Sequence, residues 1–507
     1  MHHSCRTLRS AVPPPGVVTC IGEPGFASEA TLFNRNLQDE RAPLAIVKPS
    51  SLSQLQAVLE TARASKLRVS VRNGGHNPSG RALSKGGVTI DLGRHRAIRI
   101  VRNDASGPVA EVGAGAVWGD VYEALGGSGL YAVGGGCPMV GVAGLVMNGG
   151  IAFTSRKRGL VGDSVLSFTL VFPNGTVAET EGGRSALRSA LSAGGGSTLG
   201  VVWALRLRLW PAPEGGHGVG VVRLGWKGRV PMSMLPLAAA AMDANVAATD
   251  DDEGWSLNLV VGREYVVWHH FHEGSAEESR ASGSRRGVFG RLANFTRAAL
   301  ATGASLAGCE FGAIAAQSNV TQRTVEQLGG AMRRTEASTW AHSQARLLLS
   351  WICLLTDADQ RNGERRPGTL PLLPGVSATV DGWSEDGTRS LGQHRAGAYQ
   401  GYASPHDKPE ELYGAAGVAT LRRLQAGIDG AAELFGRGAG LEPLAPPPPP
   451  VDGLTEYVLV TGGIGGIGFA VAEALSAALP PRRRHSSPHR STRRSAWAAR
   501  APASTLS

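Results

Sequence analysis

Two glycine-dense loops in the N-terminal part of this 507-residue chain limit its possible folds more than any other feature. The first, Arg72–Asn77 (Arg-Asn-Gly-Gly-His-Asn), directly follows a strand-like run, and the second extends from Gly134 to Gly150 around a single cysteine. Glycines at the end of a strand let backbone N–H groups approach a phosphate without an intervening Cβ. A tight turn with a surface histidine explains the first loop equally well when that loop is taken alone.

Strands and helices alternate around these loops. Residues 67–71 and 88–91 are strand-like. Residues 52–62 have the apolar spacing of a helix, which Ser50 can cap. The sequence Pro173-Asn174-Gly175 lies between two apolar runs and predicts a β-hairpin. This pattern is typical of an α/β or α+β domain.

Further glycine motifs follow the second loop. Asn148-Gly149-Gly150 precedes Ser155–Asp163 (Ser-Arg-Lys-Arg-Gly-Leu-Val-Gly-Asp), and Gly194–Gly196 precedes an apolar run that ends at Leu209. In their order and separation, these motifs closely resemble those of the berberine-bridge-enzyme-like oxidoreductases. That family lies within the wider class having a p-cresol-methylhydroxylase-type FAD domain. The resemblance covers residues 30–440 and is thin between residues 215 and 395.

The resemblance implies an α+β fold, in which a two-subdomain FAD-binding domain is combined with a mixed α/β substrate domain. In the family, the histidine of an R-S-G-G-H motif is bonded to the flavin 8α-methyl group. The cysteine of a G-x-C-x-T-V-G-V-G-G motif is bonded to flavin C6. His76 and Cys137 are the counterparts here, which implies FAD held by two covalent bonds. The other cofactor-binding residues that the resemblance implies are Arg72, Asn73, Gly74, Gly75, Asn77, Gly136, Val140, Gly141, Gly144, Gly149, Gly150, Gly200 and Val201.

The chain departs from the family pattern at several positions. Asn73 stands where the family has serine, Met139 where it has threonine, and residues 148–152 where it has a glycine run with an aromatic residue. Gly401 replaces the asparagine of the family's Y-x-N motif, which lies near the flavin edge and helps to set up the acid–base group. The identity of the catalytic base is therefore the least determined part of the resemblance.

The resemblance implies an FAD-linked oxidoreductase that takes a hydride from a C–H bond next to oxygen or nitrogen. Family members act on alkaloids, sugars, alcohols and secondary metabolites. Tyr399 and Tyr402 are the candidate bases, and a structural role fits each of them about as well. Val140 matches a position where valine tends to admit oxygen, which predicts an oxidase with O₂ as acceptor; a plain core valine is the alternative. A degenerate, inactive flavin-domain binding protein is the rival interpretation.

The same patterns divide the chain into segments. They are a leader (1–38), an FAD-binding domain (39–215), a substrate domain (216–395), a C-terminal return to the FAD domain (396–442), a proline-rich linker (443–453), a partial Rossmann-like βα unit (454–480) and a basic tail (481–507). The βα unit resembles the start of a short-chain dehydrogenase. A single βα unit cannot form a dinucleotide site, so an NAD(P)-dependent reductase ranks last among the alternatives.

Charge and cysteine content limit the possible partners. The net charge is +10, but the arginine-rich tail carries most of it, so we expect no nucleic-acid partner. Five scattered cysteines argue against a disulfide framework or a metal site, although Cys5 and Cys20 could pair.

The sequence contains no apolar run of membrane-spanning length and no visible signal-peptide core, which favours an intracellular protein without a membrane partner. The triplets that begin at Asn174, Asn294 and Asn319 have the N-x-S/T form, which matters only on a secreted route. The oligomeric state and the substrate stay open at this point.

Overall fold

The computed structural model describes residues 2–33, 38–180, 185–192, 195, 198–212 and 408–436. Of the remaining chain it describes residues 225–231, 254–261, 265–273, 310–314, 323–327, 330–335, 341–342, 345–351, 395–397 and 457–461. Several predicted features lie outside the described residues. They are Tyr399, Gly401, Tyr402, Asn294, Asn319, the proline-rich linker, the helix of the βα unit and the basic tail.

A four-stranded sheet carries the first glycine loop. Its strands are β1 (Val17–Cys20), β2 (Ala45–Lys48), β3 (Val69–Arg72) and β4 (Val88–Asp91), in the order β1-β2-β4-β3. β4 pairs parallel with both β2 and β3, whereas β1 pairs antiparallel with β2. The loop therefore begins at the carboxyl end of a parallel strand, where ligands commonly bind in such sheets.

Residues 2–33 pack together with this sheet and do not form a separate leader. Helix α1 (His2–Ala11) buries Leu8, and α2 (Phe26–Glu29) buries Phe26. A disulfide between Cys5 and Cys20 joins α1 to β1. The predicted domain boundary at residue 39 is therefore too late, because the partners of these early apolar residues come from later parts of the chain.

Helix α3 (Leu52–Ala64) connects β2 to β3 and buries the face predicted by its apolar spacing. This face consists of Leu55, Val58, Leu59 and Ala62. The cap differs from the prediction by one position. Ser51 Oγ accepts a hydrogen bond from the Gln54 backbone N at 3.3 Å, and the Ser50 backbone N donates to Gln54 Oε1 at 2.8 Å. The side chain of Gln54 thus accepts a hydrogen bond from the backbone that precedes the helix, and so completes the N-terminal cap.

A five-stranded antiparallel sheet forms the second layer. It contains β5 (Ile98–Asp104), β6 (Gly107–Gly113), β8 (Val165–Val171), β9 (Val177–Glu179) and β10 (Val201–Arg208), in the order β5-β6-β10-β8-β9. A short pair, β7 (Leu130–Tyr131) with β11 (Trp210–Pro211), lies apart from it. The predicted hairpin is confirmed, since β8 pairs antiparallel with β9 across the turn at residues 172–176.

Helices occupy the connections within this second layer. They are α4 (Trp118–Leu125), α5 (Val142–Met147), α6 (Ser155–Arg158) and α7 (Ala186–Ser192). Residues from both sheets and from α3, α4 and α5 share one apolar core, in which Trp118 and Phe168 are fully buried. The two layers therefore form one packed unit around the glycine loops.

The later residues form an eight-stranded sheet with the order β15-β12-β14-β13-β16-β17-β19-β18. Its strands are β12 (Gly225–Pro231), β13 (Trp255–Val261), β14 (Tyr265–His272), β15 (Glu310–Ile314), β16 (Arg323–Gln327), β17 (Ala345–Trp351), β18 (Arg395–Gly397) and β19 (Tyr457–Thr461). The first strand of the βα unit, β19, lies inside this sheet and pairs parallel with β17 and β18.

The segment after β18 packs back onto the N-terminal layers. Helix α8 (Pro409–Ala426) bends at Gly414, and α9 (Ala431–Leu434) follows it. Gln425 Nε2 donates to the carbonyl oxygens of Thr198, at 3.2 Å, and Gly436, at 3.0 Å. Among the described helices, none is long and apolar enough to cross a membrane.

Candidate functional site

The two glycine loops contact each other through their backbones. A Cβ atom placed on Gly74 would lie 2.7 Å from the Gly141 backbone N and 2.8 Å from the Met139 carbonyl oxygen. A Cβ placed on Gly141 would lie 2.8 Å from the Gly74 backbone N. Distances below about 3 Å are too short for a carbon side chain, so both positions require glycine. The loops meet because neither residue has a side chain.

Hydrogen bonds from the start of α4 hold the second loop in place. The Trp118 backbone N donates to the Val140 carbonyl at 3.0 Å, and the Gly119 backbone N donates to the Pro138 carbonyl at 2.8 Å. Asn73 Nδ2 of the first loop donates to the Ala114 carbonyl just before this helix. Both loops are therefore anchored to the segment that connects β6 to α4.

His76 is half-buried at the edge of the first loop. Its Nδ1 atom lies 2.8 Å from the Gly74 carbonyl oxygen. Because a carbonyl only accepts, Nδ1 donates in this contact, and in the neutral ring the lone pair then lies on Nε2. The ring stacks on Phe33 with centroids 5.2 Å apart, and the Phe33 backbone N donates to the Gly75 carbonyl at 3.1 Å. The loop thus presents an oriented imidazole with one nucleophilic nitrogen.

Cys137 is the free cysteine of the described residues, and its side chain is half-exposed. The Val140 backbone N donates to its carbonyl at 3.2 Å, which closes a tight turn around it. Tyr122 OH donates to the Gly135 carbonyl on the other side of the cysteine. Burial raises the pKa of Tyr122, and its electrostatic interaction with the neighbouring Cys137 raises it further. Tyr122 therefore stays protonated and keeps the loop fixed.

Arg72, predicted to bind the cofactor, lies beneath the first loop and not at its rim. Its guanidinium is buried and donates to Asp91 Oδ2 at 2.6 Å and to the Thr31 carbonyl at 3.3 Å. Arg72 and Asp91 are register partners at the ends of β3 and β4, so their side chains meet beneath the loop. Arg72 thus supports the loop from below.

The other predicted cofactor residues occupy several places. Asn77 Oδ1 accepts from the Ser79 backbone N at 3.0 Å, which closes the first loop. Gly136 faces the ring of Phe153, and Val140 is half-buried against the core. Gly144 faces open space within α5.

Gly149 and Gly150 connect the second loop to the run that follows α6. Their carbonyls accept from the backbone N atoms of Gly162 and Val161, at 2.7 Å and 2.9 Å respectively. Gly200 packs on Val171 and Leu170, and Val201 begins β10. No group of three or more His, Cys, Asp or Glu in the described part of the chain is arranged to hold a metal ion.

A buried ionic cluster, absent from the sequence-based predictions, joins the two large parts of the structure. Glu273, just after β14, is 4% exposed. Its Oε1 atom accepts from Arg158 Nε at 2.7 Å and from Tyr131 OH. Lys157 Nζ donates to the Glu273 carbonyl at 2.9 Å. Arg158 and Lys157 belong to the Ser155–Asp163 motif, so this motif binds the large sheet.

The electrostatics of this ionic cluster favour the charged form of Arg158. Burial lowers the pKa of Arg158, but the charges of Glu273 and Tyr131 and the hydrogen bonds to them together raise it by more, so the net shift is upward. Burial, followed by the charge of Glu273, raises the pKa of Tyr131 and keeps it a hydrogen-bond donor. The Arg158 guanidinium also lies 5.4 Å from the centroid of the Trp210 ring. The only sequence signal for this cluster was the pair of cations inside the motif.

Replacing Gly74 with alanine should drive the two loops apart, because its Cβ would collide with the backbone of the second loop. We expect a loss of about 1–3 kcal/mol in the free energy of unfolding, measured by urea denaturation, and faster hydrogen exchange in residues 72–77. Gly144→Ala is the matched control, since a Cβ there meets no atom within 4 Å. Equal stability of Gly74→Ala and Gly144→Ala would contradict the contact between the loops.

Replacing Glu273 with alanine should leave Arg158 without its buried partner. We expect a loss of about 3–5 kcal/mol in the free energy of unfolding, because an uncompensated buried charge is costly. Asp429→Ala removes an exposed ion pair with Arg63, N···O 2.7 Å, and should cost less than about 1 kcal/mol in the same urea titration. A Glu273→Ala variant as stable as Asp429→Ala would show that the ionic cluster does not join the two parts.

Comparison with known proteins identifies the N-terminal unit. Residues 43–181 match the family model of the FAD binding domain. (R)-6-hydroxynicotine oxidase of Paenarthrobacter nicotinovorans is 35% identical over 201 residues, which are 39% of this chain and 42% of that protein. The FAD-linked oxidoreductase dpmaF of Metarhizium anisopliae is 34% identical over 253 residues, 48% of each chain. The chain thus matches about half the length of these curated relatives.

Solved structures identify the fold over a longer range. The berberine-bridge-enzyme-like protein 1 of Physcomitrella patens has a TM-score of 0.65 at 18% identity, and covers 87% of this chain and 100% of its own. A chitooligosaccharide oxidase has a TM-score of 0.66 at 18% identity, with the same coverage. The predicted α+β fold is therefore confirmed. Residues 43–181 match the FAD binding domain, within a chain that has the fold of the berberine-bridge-enzyme-like flavoproteins.

Proposed function

We propose that this chain is an FAD-dependent oxidoreductase that oxidises a small metabolite and passes the electrons to O₂. The observation that carries the proposal is the backbone contact between Gly74 and Gly141, with His76 and Cys137 beside it. This contact lies within the segment that matches the FAD binding domain. The FAD-linked oxidoreductases among the sequence relatives support the same chemistry.

The residues at the loops fit an FAD. The backbone N atoms of Gly74 and Gly141 lie at this contact without a side chain of their own beside them, which suits the pyrophosphate. Asn73 Oδ1 and Trp118 Nε1 are buried and have no hydrogen-bond partner within the described residues, so polar groups of a ligand can satisfy them. We propose that Gly74, Gly75 and Gly141 hold the cofactor. When bound, FAD supplies the hydride acceptor and the reaction with oxygen.

His76 and Cys137 are the proposed sites of covalent attachment. The Nε2 atom of His76 keeps its lone pair because Nδ1 contacts the Gly74 carbonyl. The Cys137 thiol is half-exposed on the neighbouring loop, so it is accessible from outside the core. Two tethers from two loops would fix both the position and the tilt of a planar ring. Each loop is itself held by hydrogen bonds to the segment before α4.

We propose that residues 216–395, which supply most strands of the eight-stranded sheet, form a substrate domain that covers the flavin. This domain selects a small alcohol, sugar or secondary metabolite with a C–H bond next to oxygen or nitrogen. Tyr399 and Tyr402 remain the proposed bases. Tyr122 and Tyr131 are poor candidates, because burial raises the pKa of each and both already donate hydrogen bonds.

One alternative has a specific observation in its favour. Two departures from the family pattern favour a degenerate flavin-domain protein that binds a ligand without catalysis. They are the altered glycine run Asn148-Gly149-Gly150-Ile151-Ala152 and the glycine at position 401 in place of asparagine. The carbonyls of Gly149 and Gly150 nevertheless accept hydrogen bonds from Gly162 and Val161, so the altered loop is tied to the rest of the domain. The altered loop thus keeps its place in the domain, and the oxidoreductases among the sequence relatives favour the enzyme over the inactive binder.

Under air, we expect the wild-type protein to form one hydrogen peroxide molecule for each substrate molecule oxidised, because reduced flavin returns its electrons to O₂. Val140→Ile should lower the rate of reoxidation by O₂ while leaving turnover with a soluble dye acceptor unchanged. Peroxide and substrate are measured together across a panel of alcohols, sugars and amines. Substrate loss with a dye but no peroxide under air would contradict the oxidase.

A further inference from the structure

The disulfide between Cys5 and Cys20 points to an oxidising compartment. Both cysteines are buried, at 8% and 5% exposure, and the bond joins α1 to β1 in the first sheet. Disulfides persist in secretory and extracellular environments and are rare in the thiol-rich cytosol. A structural disulfide inside the FAD domain thus argues against the intracellular location that the sequence favours.

An N-linked glycosylation triplet lies at the tip of the β8–β9 hairpin. Asn174, Gly175 and Thr176 form the N-x-S/T sequence, and the side chains of Asn174 and Thr176 are exposed. Such triplets accept a glycan when they lie in a surface turn of a protein that passes through the secretory route. The triplet therefore meets the steric requirement that many matches to this short motif fail.

The local geometry leaves the acceptor atom available. Asn174 Oδ1 accepts from the Thr176 backbone N at 3.0 Å, while Asn174 Nδ2 makes no hydrogen bond within the described residues. Gly175 has a positive φ of 83°, and its carbonyl accepts from Gln56 Nε2 at 2.7 Å, which fixes the turn on α3. The hairpin thus presents the asparagine on a rigid support.

The turn lies next to an exposed sheet edge, which a glycan on Asn174 would cover. β9 is an edge strand of the five-stranded sheet, and Val177 beside the triplet is 37% exposed. Uncovered edge strands with exposed apolar residues promote pairing between molecules. A hydrated oligosaccharide on Asn174 would keep another chain away from this edge.

We propose that Asn174 carries an N-linked glycan, added while the chain passes through an oxidising secretory compartment. A bond forms between Asn174 Nδ2 and C1 of the first sugar. The bond between that C1 and the diphosphate of a lipid-linked oligosaccharide breaks, and one amide proton leaves. No electrons are transferred in this step. The proposal does not depend on flavin binding or on oxidase activity.

The test uses the full chain isolated from its own cells. Peptides are mapped without reduction, before and after treatment with peptide N-glycosidase in water enriched in heavy oxygen. We expect a Cys5–Cys20 linked peptide, and conversion of Asn174 to aspartate with one heavy oxygen. An unmodified Asn174, or free thiols at Cys5 and Cys20, would overturn the proposal.

Variants passed through a yeast secretory pathway separate this triplet from the two others. Asn174→Gln and Thr176→Ala should each lose one glycosidase-sensitive mobility shift, whereas Thr176→Ser keeps the triplet and should keep the shift. Thr176→Ala leaves the asparagine in place, which covers the case in which Asn174→Gln fails to fold. A shift that persists in Thr176→Ala and disappears in Asn294→Gln or Asn319→Gln would overturn the assignment to Asn174.

Discussion

The backbone contact between Gly74 and Gly141 is the constraint on which the rest of the candidate site depends. It brings a loop of the four-stranded sheet against a loop of the second layer with no side chain between them. His76 and Cys137 come from these two loops, so the contact brings together the segments that carry them. Asn73 adds a hydrogen bond to the Ala114 carbonyl, which anchors the first loop to the second layer. A side chain at either glycine would remove the basis for a common cofactor site.

A second connection links this site to the large sheet. The Ser155–Asp163 motif supplies Arg158 to the buried Glu273, and its later residues donate to the carbonyls of Gly149 and Gly150. One short motif thus contacts both the end of the second glycine loop and the large sheet. An ionic contact suits this position, since a buried carboxylate with two cations accepts few alternative arrangements. The position of the large sheet is therefore coupled to that of the second glycine loop through this motif.

Local sequence signals predicted the elements whose determinants lie close together in the chain. The apolar face of α3, the β8–β9 hairpin and the two glycine loops all follow from spacing and turn chemistry. Long-range pairing explains the failures. Arg72 lies beneath its loop because β4 places Asp91 beside it, and α1 packs into the core through partners later in the chain. Glu273 gave no signal, because its partners lie more than a hundred residues earlier.

The most direct measurement is acid precipitation of the purified protein, followed by the mass of the denatured chain. A covalent flavoprotein gives a yellow pellet whose mass exceeds that of the bare chain by one FAD. We predict that His76→Ala and Cys137→Ala each retain FAD through the remaining bond, and that the double variant releases it. If the colour of the wild-type protein passes entirely into the supernatant, the two-tether account is contradicted. If the purified protein has no colour at all, the candidate site does not bind FAD.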